Sequence, residues 1–400
     1  MIYQIIKDKS FLIMKFFYLY CFLLFSNLLN SQTIRIGIFN NEAIDSFVFT
    51  PNNSSYSVYG DTSYVLSFLK KDTINVIKKD SLLILKKEND LIGIYSKINF
   101  VQDSLNSSLF IIPQKIKLKK RNLKGDFKLN VINDKLHLIN IVDMYNYLSS
   151  VVLSEAGGNK SEEYYKVQVI LSRTYALKHS NKHAKENFDL CDGIHCQVYR
   201  REVNNSNHVI YDAVRFTKDL VIVDTSLHLI GAFFHANCGG QTAETNQVWN
   251  KKITFLNSFR DTFCIHTKQS NWTKKIPKKE WRDYLQTTFF LSVNKKEINK
   301  LLYNFKQPYR KTFFLNPKHG IPLRDVRHYF NLKSTFFDCY DNGDYVLIKG
   351  RGFGHGVGLC QEGAMEMAKQ NFTFDEIIHY YFPTTKIIKK QRLLKSFIHK

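Results

Sequence analysis

The sequence predicts an α+β protein, with a β-rich amino-terminal region followed by a mixed α/β domain that carries a helical insertion. Three observations carry this. From Thr33 to about Ile141 short β-prone runs recur, among them Ile34 to Phe39, Leu82 to Lys86, Leu91 to Tyr95, Leu109 to Ile112 and Phe127 to Val131, divided by Asn, Asp, Ser and Gly turns. From Asp143 to Leu177 the apolar spacing changes to that of helices. Near the end a strand-like run, Tyr345 to Lys349, leads into a dense glycine segment and then a helix from about Glu362 to Lys369. The expected division is a leader over residues 1–32, the β-rich region over 33–138, a domain over 139–254 and 319–386 split by an insertion at 255–318, and a basic tail over 387–400.

Asp143 is placed to cap the first helix. Behind it Met144, Leu148, Val151, Val152 and Glu155 fall on one stripe, so an acid occupies a position where an apolar residue is expected. Burial against an apolar face and the negative end of the helix dipole both disfavour the ionised form, so Glu155 is expected to be a proton donor near neutral pH. The bland alternative is a solvated surface acid. Gly157 and Gly158 then turn the chain. Ser161 caps a second helix, with Glu162 and Glu163 in its first turn and periodicity to Lys178. Gln168, Ser172 and Tyr175 share a face of that helix, with Arg173 one step round: a seam suited to sugar hydroxyls or to supporting Glu155. Beyond it, strand character is expected at Leu220 to Val223 and Leu229 to Phe234, and helical character near Pro277 to Leu291 and Lys295 to Tyr303.

With 400 residues, 44% hydrophobic and 14% aromatic, the chain can bury a sizeable core. Its formal charge of +22 invites a polyanion, but the lysines are scattered and no nucleic-acid module interleaves them with aromatics, so nucleic acid is not the expected partner. Lys7, Lys9 and Lys15 precede an apolar run from Phe16 to Leu29 and a small polar stretch to Gln32; Met14 offers an alternative start. This reads as an export signal, too short for a stable span, so an exported, cell-wall-side protein with no lasting membrane anchor is expected. Export would put Cys191, Cys196, Cys238, Cys264, Cys339 and Cys360 in a disulfide-permissive space.

Two further segments carry chemistry. CDGIHC brings Cys191, His195 and Cys196 together as soft ligands of the type zinc takes, with Cys238 or His235 as a conceivable fourth; a disulfide is the alternative, and the sequence leaves both open. GRGFGHGVGLCQEGA demands positive φ or close backbone approach, and its spacing is not that of a dinucleotide loop. His355 within it can orient a ligand or a carboxylate, or merely satisfy a turn carbonyl.

The stretches INIVDMYNYLSSVVLSEAGG, YYKVQVILSRTYALKH, CDGIHCQVY, FFHANCGGQTAE with VW after it, and GRGFGHGVGLCQEGAMEMA with IIHYYFPTT, in this order over about Ile139 to Thr385, resemble the SpoIID/LytB family of peptidoglycan lytic transglycosylases and amidase enhancers. The resemblance implies a SpoIID-type catalytic domain with Glu155 as the catalytic acid. It implies substrate contacts at Arg173, Tyr175, His355 and Gln361, beside which Gln168, Gln197 and Tyr199 are further candidate contacts, and it supports zinc as a structural ion at Cys191, His195 and Cys196. Cys360 and Glu362 depart from the family's usual Ser and Trp, and the insertion is not covered. The activity implied is cleavage of MurNAc–GlcNAc bonds in peptide-stripped glycan strands, leaving 1,6-anhydro ends. Glu155 would act first as acid and then as base, so the second carboxylate of ordinary glycosidases is not required. The alternative is a non-catalytic peptidoglycan-binding amidase enhancer working with a cell-wall amidase; a weaker one is a zinc hydrolase built on the CDGIHC loop.

Overall fold

The computed structural model describes residues 32–115, 117–203, 207–249, 252–253, 255–291, 300–315 and 317–393. The expected leader lies outside them apart from Gln32, as does most of the expected helix at Lys295 to Tyr303. No helix among the described residues is long and apolar enough to cross a membrane. The architecture is α+β, and the chain forms two units.

Alternating residues build the first unit, which runs to Tyr147 and takes in His183–Asp192. In Ser46–Pro51, Phe47, Phe49 and Pro51 point inward; in Lys97–Gln102, Ile98 and Phe100 do so. The period of two gives each strand one apolar face. A seven-stranded sheet runs Leu190–Cys191, Thr33–Ile38, Lys135–Asp143, Asp126–Ile132, Lys97–Gln102, Tyr56–Gly60, Ser63–Phe68. A six-stranded one runs Arg121–Lys124, Ser108–Pro113, Ser46–Pro51, Ile74–Lys79, Leu82–Lys87, Asp90–Tyr95. The rings of Phe49 and Phe100, one from each sheet, lie 4.7 Å apart, so the two inner faces form a single core. The strand runs expected from the sequence in this unit are all present, whereas Leu229 to Phe234, expected as strand in the second unit, is irregular apart from a bridge at Leu229 and the short strand Phe234–His235.

Two boundaries differ from expectation. Lys135–Asp143 completes the first unit's sheet, because it pairs antiparallel with Thr33–Ile38 and Asp126–Ile132 at once. Leu190–Cys191, expected as loop, pairs parallel with Thr33–Ile38 through Ile36 and Gly37. Side chains hold this returning segment: Asp189 Oδ1 accepts from Arg35 at 2.8 Å, and Asp192 accepts from the Phe39 amide at 2.8 Å and pairs with buried Arg121.

The second unit holds Leu148–Lys182 and the chain from Gly193 onward. The helices bounded among its described residues are α1 (Met144–Ala156, joining this unit at Leu148), α2 (Glu162–Lys178), α3 (His208–Phe216), α4 (Lys278–Phe289), α5 (Leu323–Tyr329), α6 (Gln361–Lys369) and α7 (Phe374–Tyr381). Ser161 Oγ accepts from the Tyr164 amide at 3.4 Å, as a cap should. Every residue of α2 from Tyr164 to Ala176 is buried. A helix buried on all sides belongs at a domain's centre; this one packs on α3, α6, α7 and the strand Leu220–Val223. The strand Lys386–Lys389 pairs with Leu220–Val223, so the expected basic tail begins as sheet.

The expected insertion at 255–318 is part of a larger satellite. Asn271–Pro277 pairs with Tyr345–Arg351, which pairs with Phe337–Asn342. One core joins Trp272, Trp281 and Phe314 to Phe330, Phe337 and Ile348. This core draws on residues on both sides of position 318, so sequence composition had no break to mark its true edge.

Candidate active site

Glu155 sits in the last turn of α1, half-buried, with Leu148, Val151 and Val152 of its stripe fully buried behind it. Its Oε1 accepts a hydrogen bond from the Val198 amide at 2.6 Å, and the next turn of that segment is tied by the Arg200 amide donating to Ser154 Oγ at 3.2 Å. Burial raises the pKa of Glu155 above the ordinary carboxylate range, outweighing the opposing pull of the Val198 N–H and of Arg200. The sequence argument anticipated the apolar surroundings and the direction of the shift; the amide from residue 198 was beyond its reach. Gly157 ends the helix at φ 75° with open space where a Cβ would sit, so the glycine is required by conformation alone.

Facing this end of α1 is a buried polar network on α2. Gln168 Oε1 accepts from Tyr164 Oη at 3.3 Å and from Gln361 Nε2 at 3.2 Å, while Gln168 Nε2 donates to Ser172 Oγ at 3.4 Å. Gln361 opens α6, so the sequence-predicted pair Gln168 and Gln361 is brought together across 193 positions. Burial, with the Glu155 carboxylate nearby, pushes the Tyr164 phenol well above its ordinary value and keeps it a neutral donor. Tyr164 was not singled out from the sequence, because an aromatic at a helical core position carries no signal of its own.

Other predicted residues have different surroundings. Arg173 is buried and its Nη1 donates to the carbonyls of Thr217 and Leu220 at 2.8 and 3.1 Å. Burial lowers its pKa to about 10, so it remains charged and acts as a tie between α2, the end of α3 and the strand that follows. The expected sugar contact from Arg173 gives way to this structural role: its charge is matched by main-chain acceptors at the domain centre. Tyr175 is nearly buried, with its Oη 3.5 Å from the carbonyl of His195 and 3.3 Å from Lys182 Nζ. Gln197 and Tyr199 are buried on the segment that supplies the Val198 amide, so they brace that segment from inside. His355 accepts from the Val357 amide through Nδ1 at 3.0 Å and bonds the Phe234 main chain with its other nitrogen. Burial and two nearby arginines lower it to about 4. It is a neutral ring that fixes the glycine-rich turn, the blander of the two roles the sequence allowed.

The glycines of that turn serve close approach. A Cβ at Gly358, φ 74°, would lie 2.2 Å from the Phe233 carbonyl oxygen, and one at Gly352 would lie 2.5 Å from that of Asn237. This closeness lets Leu359–Cys360 pair parallel with Phe234–His235 and sets Gln361 at the start of α6.

A cleft of about 760 Å³ opens beside the site, walled by Asn159 to Ser161, Thr262 and Phe263, His266 to Lys268, Glu362, Met365, Glu366, Lys369 and Gln370. Its walls flank the site along the chain: Asn159 follows the Glu155 turn and Glu362 follows Gln361. Glu155 itself is not in its lining. Glu362 Oε2 accepts from Asn237 at 2.7 Å, Thr267 at 2.5 Å and the Gln269 amide at 3.2 Å, which fixes this acid of the cleft wall in place.

For the predicted metal loop, Cys191 lies buried in the first unit with a ring nitrogen of His183 within 4.8 Å of its sulfur. In the second unit His195 Nδ1 is 3.8 Å from Cys196 Sγ. Neither Cys238 nor His235 serves as the fourth donor conceived from the sequence. Cys238 is grouped with Asp261, Cys264 and Cys360, and His235 donates to the Val357 carbonyl at 3.1 Å.

Comparison with known proteins agrees with this geometry. The model of the SpoIID family, described as Stage II sporulation protein, matches residues 132–223, which contain α1, α2, Glu155 and the CDGIHC segment. Stage II sporulation protein D of Bacillus subtilis is 26% identical over 279 residues, covering 65% of this chain and 78% of that protein. An uncharacterized protein of Brachyspira hyodysenteriae is 27% identical over 271 residues, covering 66% of this chain and 72% of its own. The amidase enhancer of Bacillus subtilis is 23% identical over 293 residues, covering 60% of this chain and 40% of that protein. The matched residues carry the half-buried Glu155 and the buried Gln168, and over them the chain is similar to the SpoIID family.

Proposed function

We propose that the protein is an exported peptidoglycan lytic transglycosylase, a finer reading of the cell-wall-related role that its similarity to SpoIID proteins and to an amidase enhancer supports. One observation carries it: a single carboxyl, raised in pKa by burial, stands at a helix end beside a fully buried tyrosine and glutamine network. Glycoside hydrolysis by two carboxylates needs a second acid free to act as base or nucleophile. Of the two acids in the cleft wall, Glu362 is held by three donors and Glu366 pairs with Lys369 at 2.6 Å. One residue with a pKa near ambient pH can instead serve twice. Protonated Glu155 donates to the oxygen bridging MurNAc and GlcNAc, and that bond to the anomeric carbon breaks. The carboxylate so formed takes the proton of the muramoyl C6 hydroxyl as its oxygen closes on the anomeric carbon. The proton returns to Glu155, and no water is consumed. The Val198 amide steadies the carboxylate between the two steps, and Tyr164 with the two glutamines holds the wall of the site rigid.

The Cys191, His195 and Cys196 set remains a proposal for structural zinc. The donors are of the type zinc takes, and His195 Nδ1 lies 3.8 Å from Cys196 Sγ. Zinc there would bind and hold the segment that leads to Val198.

The test is mass spectrometry of peptide-stripped glycan incubated with purified protein. The wild type is expected to release glycan fragments ending in 1,6-anhydroMurNAc, and Glu155→Gln to lower the rate by about 10²–10⁴-fold while strand binding persists. Full activity in that variant sinks the assignment. Binding without anhydro products in the wild type would favour the second reading, a non-catalytic partner of a cell-wall amidase, toward which the amidase enhancer similarity points.

A further inference from the structure

Away from Glu155 the second unit gathers Cys238, Asp261, Cys264 and Cys360 from separate parts of the chain. All four are fully buried, and one donor atom from each lies within 4.8 Å of the others. Cys238 Sγ is 3.3 Å from Cys264 Sγ and 3.3 Å from Asp261 Oδ2. Zinc–sulfur bonds of about 2.3 Å and zinc–oxygen bonds of about 2.0–2.2 Å set tetrahedral edges of roughly 3.5–3.8 Å. The observed spacing needs only a slight expansion to admit an ion.

The surroundings suit bound metal better than bare thiols. Cys360 Sγ accepts from the Cys238 amide at 3.2 Å and from the Gly363 amide at 3.4 Å, so it caps α6 with a sulfur where the helix favours negative charge. Asp261 is oriented from behind by Tyr381 Oη at 2.9 Å and by the Phe263 amide at 3.0 Å, the outer support that ligating carboxylates receive. Among the described residues no lysine or arginine forms an ion pair with this buried carboxylate. Arg310 is likewise buried without a carboxylate partner: it donates to the carbonyls of Cys238 and Gln241 at 2.6 and 2.7 Å and lies within electrostatic reach of all three cysteines. A buried carboxylate and a buried guanidinium of this kind are costly unless charges between them are matched. A disulfide would use two sulfurs and leave the third thiol and the carboxylate unexplained.

We propose that Cys238, Asp261, Cys264 and Cys360 bind one zinc-type divalent cation in a closed tetrahedral site distinct from the CDGIHC segment. Three sulfurs select a borderline-soft ion over magnesium or calcium, and four protein donors leave no position for substrate. The ion is structural. It clamps Phe234–His235 to Leu359–Cys360 and thereby holds Gln361, the next residue, in place to reach Gln168.

The experiment is metal analysis of the full chain purified under reducing conditions and supplied with zinc. Cys264→Ser is expected to hold one zinc per chain fewer than the wild type, whereas a Cys191→Ser/Cys196→Ser variant keeps that equivalent. Should Cys264→Ser fail to fold, cobalt loaded into the Cys191→Ser/Cys196→Ser variant gives the answer, since any thiolate-to-cobalt absorption there must come from the second set. Absence of that band, an unchanged zinc count in Cys264→Ser, or a Cys238–Cys264 disulfide in the protein from an exporting host would each overturn the site.

Discussion

Glu155 shows how much one residue's setting decides. A carboxyl whose folded pKa exceeds its unfolded value of about 4.3 favours the fold in its protonated form. Its contribution is complete below that unfolded value and is lost as pH rises through the folded one. Once ionised, the side chain therefore weighs against stability. Glu155→Gln is expected to melt at or above the wild-type temperature at pH 7, with the difference closing as the pH approaches 4; a variant clearly less stable at pH 7 would show that the Val198 amide and Arg200 outweigh burial. Transglycosylation should fall as pH rises through the same folded value, because the donor proton is then gone.

At the level of elements, local signals were strong wherever caps and periodicity coincide. Ser161 was readable as a cap because its hydroxyl meets the amide three residues on, and Asp143 likewise accepts from the Asn146 amide at 2.9 Å. The glycine-rich segment was readable only as a demand for unusual backbone; its partner, the run from Phe233 to Cys238, lies far off in sequence. The two kinds of glycine can be separated by substitution. Gly157→Ala meets open space at φ 75° and should cost about 1–2 kcal/mol. Gly358→Ala carries the same conformational penalty and in addition drives a Cβ to 2.2 Å from the Phe233 oxygen, so it should cost clearly more and disturb Gln361. Urea unfolding of the two variants measures the difference, and equal losses would remove the close-approach explanation.

For the molecule as a whole, a net charge of +22 on a protein proposed to hold glycan strands gives a salt prediction. Peptide-stripped strands expose lactyl carboxylates, and screening lengths shorten from about 10 Å at 0.1 M salt to about 3 Å at 1 M. Binding measured by co-sedimentation should weaken by about tenfold over that range, while strands with esterified lactyl groups should respond little. Equal salt response by both would point to recognition through neutral sugar groups. The division into two units was visible in outline as β-rich followed by mixed, yet its edge was not. Lys135–Asp143 and Leu190–Cys191 are claimed by the first unit's sheet through pairing with Thr33–Ile38, which composition does not reveal.

By itself the sequence determined the element types, the helix ends, and the position of an acid on an apolar stripe, because helix periodicity, capping and turns act within a few residues. Only the tertiary structure decided which buried polar groups meet. It sent Arg173 to the carbonyls of Thr217 and Leu220, joined Gln168 to Gln361, and gathered Cys238 with Asp261, Cys264 and Cys360 rather than with the CDGIHC segment. A buried donor or charge must find its partner somewhere in the fold, and the partner's address is set by chain topology rather than by neighbouring residues.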